Sequence, residues 1–220
     1  MTEPPGAAAH ITIPLFPVPD VVLFPGVVIP LHIFEPRYRR LVADVLAGDR
    51  RLGMAVLKPG WEADYDGSPA IYGTVGFGVI EAASRLDDGR FLIQLRGEGK
   101  GRIEAEVQQV PYRKAVLATR PDRLPGPELG ARVAELAALA RELGMGAAAG
   151  APFAAAGGVD LVHQVAASLP VGPEVKLDLL DLDDAEERAR RVTVLLGIAL
   201  AQRRAIEHAR PPGDPEAELN

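Results

Sequence analysis

Between residues 13 and 38 the chain reads IPLFPVPDVVLFPGVVIPLHIFEPRY, short apolar runs of β-forming residues cut by Pro14, Pro17, Pro19, Pro25, Pro30 and Pro36. Proline fixes φ and carries no N–H, so each run reads as a short strand that must end or bend on schedule. Two-residue alternation then continues to about Arg120. Phe91, Ile93 and Leu95 share one face, and Ile103, Ala105 and Val107 share another while Glu104 and Glu106 turn to water. Asp88 and Gly89, between the runs 73–82 and 91–95, predict a two-residue hairpin turn because both tolerate positive φ. Gly97, Gly99 and Gly101 predict the next reversal. Lys58, Pro59 and Gly60 end a strand over 52–57, and one short helix fits between Phe34 and Leu52, with Pro36 in its first turn. The first half reads as six or seven strands plus one helix, curled into an antiparallel barrel.

After Arg120 the period becomes helical. Leu129, Val133, Leu136, Ala140 and Leu143 form one apolar stripe. The Gly/Ala-rich stretch 144–158 reads as a hinge or loop, and three further helices are expected over 159–168, 173–180 and 183–208. Asp183, Asp184, Glu186 and Glu187 crowd the front of the last helix, the favourable end for negative charge. Its middle, 192–201, is apolar nearly all round and is expected to be buried on most sides. Gly197 there suggests close packing against a neighbour, since glycine costs about 1 kcal/mol of helix propensity relative to alanine. The Pro- and Glu-rich tail 210–220 is expected to be disordered, as is a flexible N-terminal tail, 1–10.

Composition narrows the classes. Of 220 residues, 48% are hydrophobic and 25% charged, ordinary values for a globular protein able to bury a core. The net charge of −6 argues against nucleic acid as a partner, whose affinity rests on Lys and Arg neutralising phosphates, although Arg37, Arg39 and Arg40 form a local basic patch. With no cysteine, disulfides and thiolate chemistry are excluded. No stretch is long and apolar enough to span a bilayer and the N-terminus lacks a basic signal-like region, so a cytoplasmic protein is expected.

Catalytic patterns are missing. Ser68, Ser84 and Ser168 lie outside any G-x-S-x-G context, and His10, His32, His163 and His208 are scattered without metal-ligand spacing. His32, alternating with Leu31 and Ile33, reads as an ordinary strand residue. GEGKG at 97–101 lacks the Ser or Thr of a phosphate loop, and the glycines of GTVGFG at 73–78 mark a bulge or a close backbone approach. The acidic pairs are explained by a turn and a helix front. No catalytic, cofactor-binding or metal-binding residue is expected. One patch remains, the acidic loop 61–69 with the chain's only Trp, Trp61, and Tyr65. Such aromatics are either folded back as a lid on the barrel or displayed as anchors for a partner.

The segments PLFP at 14–17, VVLFPG at 21–26, IPL at 29–31, FEPRY at 34–38 and YGTVG at 72–76 resemble the N-terminal, substrate-binding domain of Lon proteases. The likeness continues through 90–94, 101–103 and AASLP at 166–170, and spans nearly the whole chain apart from the tails and the stretch 144–158. The resemblance implies an α+β fold, with a PUA-like antiparallel pseudo-barrel over 11–120 and a C-terminal helical bundle over 121–209. It also implies a role in engaging substrate proteins, without the ATPase and peptidase modules of the full protease. The family has no tight residue signature for that role, and its Pro/Gly motif residues read as makers of the fold.

The expected function is thus a non-catalytic module that binds unfolded or partner polypeptides through an apolar groove or a strand edge, with Trp61, Tyr65 and Phe77 as contact residues. A homo-oligomer is compatible with it. The alternatives are an RNA-binding PUA-like module, carried by Arg37, Arg39 and Arg40, and a small-molecule enzyme using a cleft between barrel and helices with His32.

Overall fold

The computed structural model describes residues 9–65, 67–123, 125–145 and 157–209. The tail segments 1–8 and 210–220, and most of the expected hinge, lie outside the described residues. Six strands, β1 (His10–Val18), β2 (Val28–Ile33), β3 (Arg51–Leu57), β4 (Ile71–Arg85), β5 (Phe91–Gln108) and β6 (Lys114–Thr119), form one sheet in the order β2-β5-β4-β3-β1-β6. A further pairing of β5 with β6 closes the ring, leaving β2 on the first half of β5. Helices α1 (Pro36–Leu46), α2 (Leu129–Glu142), α3 (Val159–Ser168), α4 (Pro173–Asp181) and α5 (Ala185–Ala209) complete the described elements. The fold is therefore α+β, a pseudo-barrel followed by helices. One pair departs from the antiparallel expectation: β1 and β3 run parallel, because β2 and α1 form the crossover between them.

Two sequence expectations about turns are corrected. The turn at Asp88 and Gly89 has three residues between the paired Leu86 and Arg90, with Gly89 at φ 81°. Gly97, Gly99 and Gly101 mark no reversal, since β5 runs unbroken through them. They and Gly76 and Gly78 of β4 serve close approach instead. A methyl group on Gly76 would overlap the Leu23 carbonyl oxygen, and one on Gly97 would overlap that of Phe24. The connector between β1 and β2 crosses the barrel at these points, sealing Leu23 and Phe24 at 0% exposure. The alternation at the end of β5 likewise does not build a buried face, since Val107 is 56% exposed.

Three apolar clusters hold the molecule. One packs α1 through Tyr38, Leu41, Val42 and Val45 against Ile33, Ile80 and Phe91, and a second lies among Ile13, Leu15, Val75 and Leu117 of the strands. The third is the helical core, into which the connector inserts Val22 and Phe24. On α5 the expectation of burial on most sides is wrong. Val192, Leu196 and Leu200 are buried, whereas Val194 and Ile198 are about half exposed. Nor does packing explain Gly197, because a Cβ there would meet nothing within 4 Å. Gly197→Ala is therefore expected to stabilise the protein by about 1 kcal/mol, read as a raised urea midpoint with an unchanged slope.

An ionic joint fastens the two halves. Asp122, in the segment between β6 and α2, accepts from Arg188 of α5 at 2.5 and 2.8 Å and pairs with Lys100 of β5 at 2.8 Å. Arg188 is 0% and Lys100 4% exposed. Arg188 also donates to the Leu179 and Leu182 carbonyls, and Arg120 bridges Asp181 and Asp183. Burial alone would raise the Asp122 carboxyl. The hydrogen bonds from Arg188, His163 and Lys100 overcome that and hold it far below the usual carboxylate range.

Candidate functional site

Three of the four tyrosines and the single tryptophan gather at one end of the barrel, where the loop joining β3 to β4 folds back over the segment joining β5 to β6. The loop base is closed by the Lys58 N–H donating to the Ala70 carbonyl. Two arginines strap the loop down. Arg37, at the start of α1, donates Nη1 to the Tyr65 carbonyl at 3.1 Å, and Arg113 donates Nη1 to the Pro69 carbonyl at 2.6 Å. Each arginine is itself neutralised. Glu35 accepts from Arg37 Nε at 3.1 Å, and Glu106 accepts from Arg113 Nε at 2.8 Å and Nη2 at 2.5 Å.

The aromatic rings are ordered by the same groups. The Arg37 guanidinium stands 4.7 Å from the Tyr38 ring centre and 4.9 Å from that of Tyr65, cation–π contacts of about 0.5–1 kcal/mol each at an exposed site. The Tyr65 hydroxyl donates to Glu35 Oε1 at 2.5 Å, which together with burial raises its pKa. Trp61, in a short 3-10 turn (Trp61–Asp64), packs behind Tyr65 with ring centres 5.4 Å apart. Tyr38 is 7% exposed and edge-on to Phe16 at 4.6 Å. Burial pushes its hydroxyl up to about 12, so it remains an O–H group at any physiological pH.

Between these walls lies a cleft of about 170 Å³, bounded by Tyr38, Tyr65 and Tyr112 and by Pro17, Pro69 and Pro111. Val110 stands 81% exposed among its lining residues. The volume is below the roughly 300–1,000 Å³ typical of small-molecule pockets. It suits one or two side chains of a longer ligand.

The sequence-predicted residues divide. Trp61 and Tyr65 belong to this end of the barrel, Tyr65 on the cleft wall at 36% exposure and Trp61 half-buried beside it. Phe77 does not join them. It borders a separate, wider opening of about 400 Å³ between barrel and helices, with Lys100, Arg120, Asp122 and His163, whose charges are largely taken up by the ionic joint. His32 lies on the outer face of β2, exposed, its ring 5.9 Å from that of Phe34. Among the described residues no group of three His, Cys, Asp or Glu is placed to hold a metal ion, and no helix is long and apolar enough to cross a membrane. Sequence reasoning missed Glu35, Arg37, Tyr38, Tyr112 and Arg113 as parts of the cleft. Glu35, Arg37 and Tyr38 stand together in FEPRY, where a charge pair beside an exposed-looking Tyr was the available signal.

Among the described residues β2 pairs only with β5, so its other edge is open. The Gly97 N–H donates to the Val27 carbonyl, so Val27, Ile29, Leu31 and Ile33 direct their backbone groups to β5, and Val28, Pro30 and His32 direct theirs outward. Pro30 removes the middle donor of that edge, which blunts it against added strands.

The sequence and the structure both have known counterparts. Residues 12–197 match the model of the ATP-dependent protease La (LON) substrate-binding domain. Lon protease 2 of Sorangium cellulosum is 28% identical over 207 residues, covering 88% of this chain and 25% of that protein. Lon protease 1 of Herpetosiphon aurantiacus is 28% identical over 185 residues, covering 84% of this chain and 20% of that protein. The chain thus spans a quarter or less of the length of these relatives. A Lon N-terminal domain protein from Xanthomonas campestris superposes with a TM-score of 0.59 at 25% identity, over 84% of this chain and 98% of its own. The N-terminal domain of Mycobacterium avium complex Lon protease gives 0.63 at 17% identity, over 85% of this chain and 98% of its own, a likeness of fold. With the match running from β1 into α5, the chain belongs to the Lon substrate-binding domain family.

Proposed function

We propose that this chain binds unfolded or partner polypeptides without transforming them, and that the tyrosine cleft is where it does so. The observation that carries the reading is the clustering of Tyr38, Tyr65 and Tyr112, with Trp61 packed on Tyr65, in a chain with only 5% aromatics, around an opening whose charges are paired within the protein. Tyr and Trp combine a large apolar face with a polar tip, the chemistry most often found at the energetic centre of protein interfaces. Of the two routes a β-domain offers, groove and strand edge, the groove is favoured because Pro30 interrupts the edge of β2. The substrate-binding role printed for the family supports the same reading. The basic patch is a poor phosphate platform, since Arg37 is paired with Glu35 and Arg40 with Asp44.

The test is the affinity for a permanently unfolded model protein, measured with the native chain and with Arg37→Ala combined with Tyr65→Ala. Loss of two anchors at one cleft is expected to weaken binding roughly 30-fold, equivalent to about 2 kcal/mol. Circular dichroism and the thermal midpoint check that the variant is folded. Unchanged affinity in a folded double variant would remove the cleft from the proposal.

A further inference from the structure

We propose that the β3–β4 loop is a gate: it opens as a local unit while barrel and helices stay folded, and the tyrosine cleft receives its polypeptide only in the open form. The inference rests on the polypeptide-binding reading and adds a controlled entrance to it. Its first ground is how the walls are covered. Tyr38 and Tyr112 are 7% and 5% exposed, and Pro17 and Pro69 are buried. The loop itself supplies Tyr65, Ser68 and Pro69 to the cleft. With the loop in place about 170 Å³ is left, room for a side chain or two but not for the backbone that carries them. Moving the loop takes away one wall.

The second ground is how the loop is fastened. Among the described residues of 58–70, Pro69 alone is buried, and none joins any of the three apolar clusters. A segment with so little buried apolar surface belongs to the low-stability end of a fold. Its ties to the body are polar. Arg37 donates to the Tyr65 carbonyl at 3.1 Å, the Tyr65 hydroxyl donates to Glu35 at 2.5 Å, and Arg113 donates to the Pro69 carbonyl at 2.6 Å. The third ground is that release strands no charge. Arg37 keeps Glu35, and Arg113, 8% exposed, keeps Glu106. The moving unit also has a natural boundary. The β3–β4 ladder shifts register between Ala55 and Leu57 and ends with the pair Leu57 and Ile71. Beyond it, the Lys58 N–H donated to the Ala70 carbonyl closes the loop base.

Native-state hydrogen exchange of the full chain, read by two-dimensional amide NMR, tests the gate. The Lys58 N–H reports the loop base, and the Ile80 N–H, donated to the Arg50 carbonyl, reports the barrel. Lys58 is expected to exchange through a local opening about a hundredfold more frequent than the unfolding that releases Ile80. Ile13→Val, a core change outside the cleft, is expected to speed Ile80 about fivefold and to leave Lys58 unchanged. Tyr65→Phe keeps the ring and removes the bond to Glu35, and is expected to speed Lys58 about tenfold. Apparent affinity scales with the open fraction, so the same variant is expected to bind a permanently unfolded model protein about tenfold tighter. Arg37→Ala with Tyr65→Ala weakens binding instead, because the anchors go with the latch. Glu35→Gln weakens the same bond from its other end and is expected to move both readouts in the direction of Tyr65→Phe. Lys58 that exchanges no faster than Ile80 overturns the inference, as does a Lys58 rate that neither Tyr65→Phe nor Glu35→Gln raises. If both speed exchange but leave affinity at the native value, while Arg37→Ala with Tyr65→Ala weakens it, the gate fails and the polypeptide-binding reading stands. If no form binds the unfolded protein, both fail.

Discussion

Asp122→Asn is expected to cost about 3 kcal/mol of unfolding free energy at neutral pH, a large fraction of the stability of a domain this size. The substitution keeps the shape of the side chain and removes the one negative charge shared by Arg188, Lys100 and His163. Arg188 is fully enclosed and cannot recover solvation when this carboxylate is lost, whereas Lys100 keeps Asp183 at 3.2 Å. The figure is taken at the low end of the range for broken buried pairs because the Asp122 side chain keeps 19% of its exposure. Urea unfolding of both proteins measures it.

The effect has a pH signature with a definite sign. The folded-state pKa of Asp122 lies below its unfolded value, so its contribution is complete above the ordinary carboxylate pKa, near 4, and is lost progressively on further acidification. The stability gap between native chain and variant is therefore expected to be constant from pH 8 to about 5 and to narrow below about pH 4. A gap that stays constant down to pH 3 would show that side-chain shape, and not charge, was lost.

Gly76→Ala is the second large effect, expected to destabilise by about 3 kcal/mol despite adding a single methyl group to a strand. Outside such contacts the same change is stabilising by several tenths of a kcal/mol, through the unfolded chain. Here the new carbon would fall on the Leu23 carbonyl, and backbone cannot swing aside as a side chain can. The connector would have to lift, drawing Leu23 and Phe24 out of two separate cores. Gly73→Ala on the same strand is the control, because a Cβ there meets nothing within 4 Å. Equal melting points for the two variants would refute the crossing connector as the cause.

The helices show how far local pattern reaches. Those expected over 159–168, 173–180 and 183–208 are observed as Val159–Ser168, Pro173–Asp181 and Ala185–Ala209, since helix periodicity and Pro or acidic starts are short-range signals. Gly97, Gly99 and Gly101 show where it stops. A glycine in a strand reads alike whether the chain reverses or another group packs closely on it, and only the tertiary neighbours, Phe24 at Gly97, Phe77 at Gly99 and Ala118 at Gly101, separate the two cases. The α5 stripe failed for a related reason: an apolar run on all sides carries no mark of which side is covered, and Val194 and Ile198 stay about half exposed. At the cleft, Trp61 and Tyr65 were legible as aromatics in an acidic loop. Their companions were not, because Glu35, Arg37 and Tyr38 lie far upstream and Tyr112 and Arg113 far downstream.

What the sequence by itself determined is the order and kind of the elements, the absence of recognisable catalytic motifs, and the family resemblance carried by closely spaced prolines, glycines and aromatics. These rest on interactions between residues a few positions apart, which a linear pattern records. The tertiary structure alone decided that β1 and β3 run parallel, that a connector crosses over Gly76 and Gly97, that Asp122 closes on Arg188, and that three tyrosines meet at one cleft. Each of those joins residues tens of positions apart, and chain closure over such distances is fixed by packing and charge pairing in the folded state rather than by local preference.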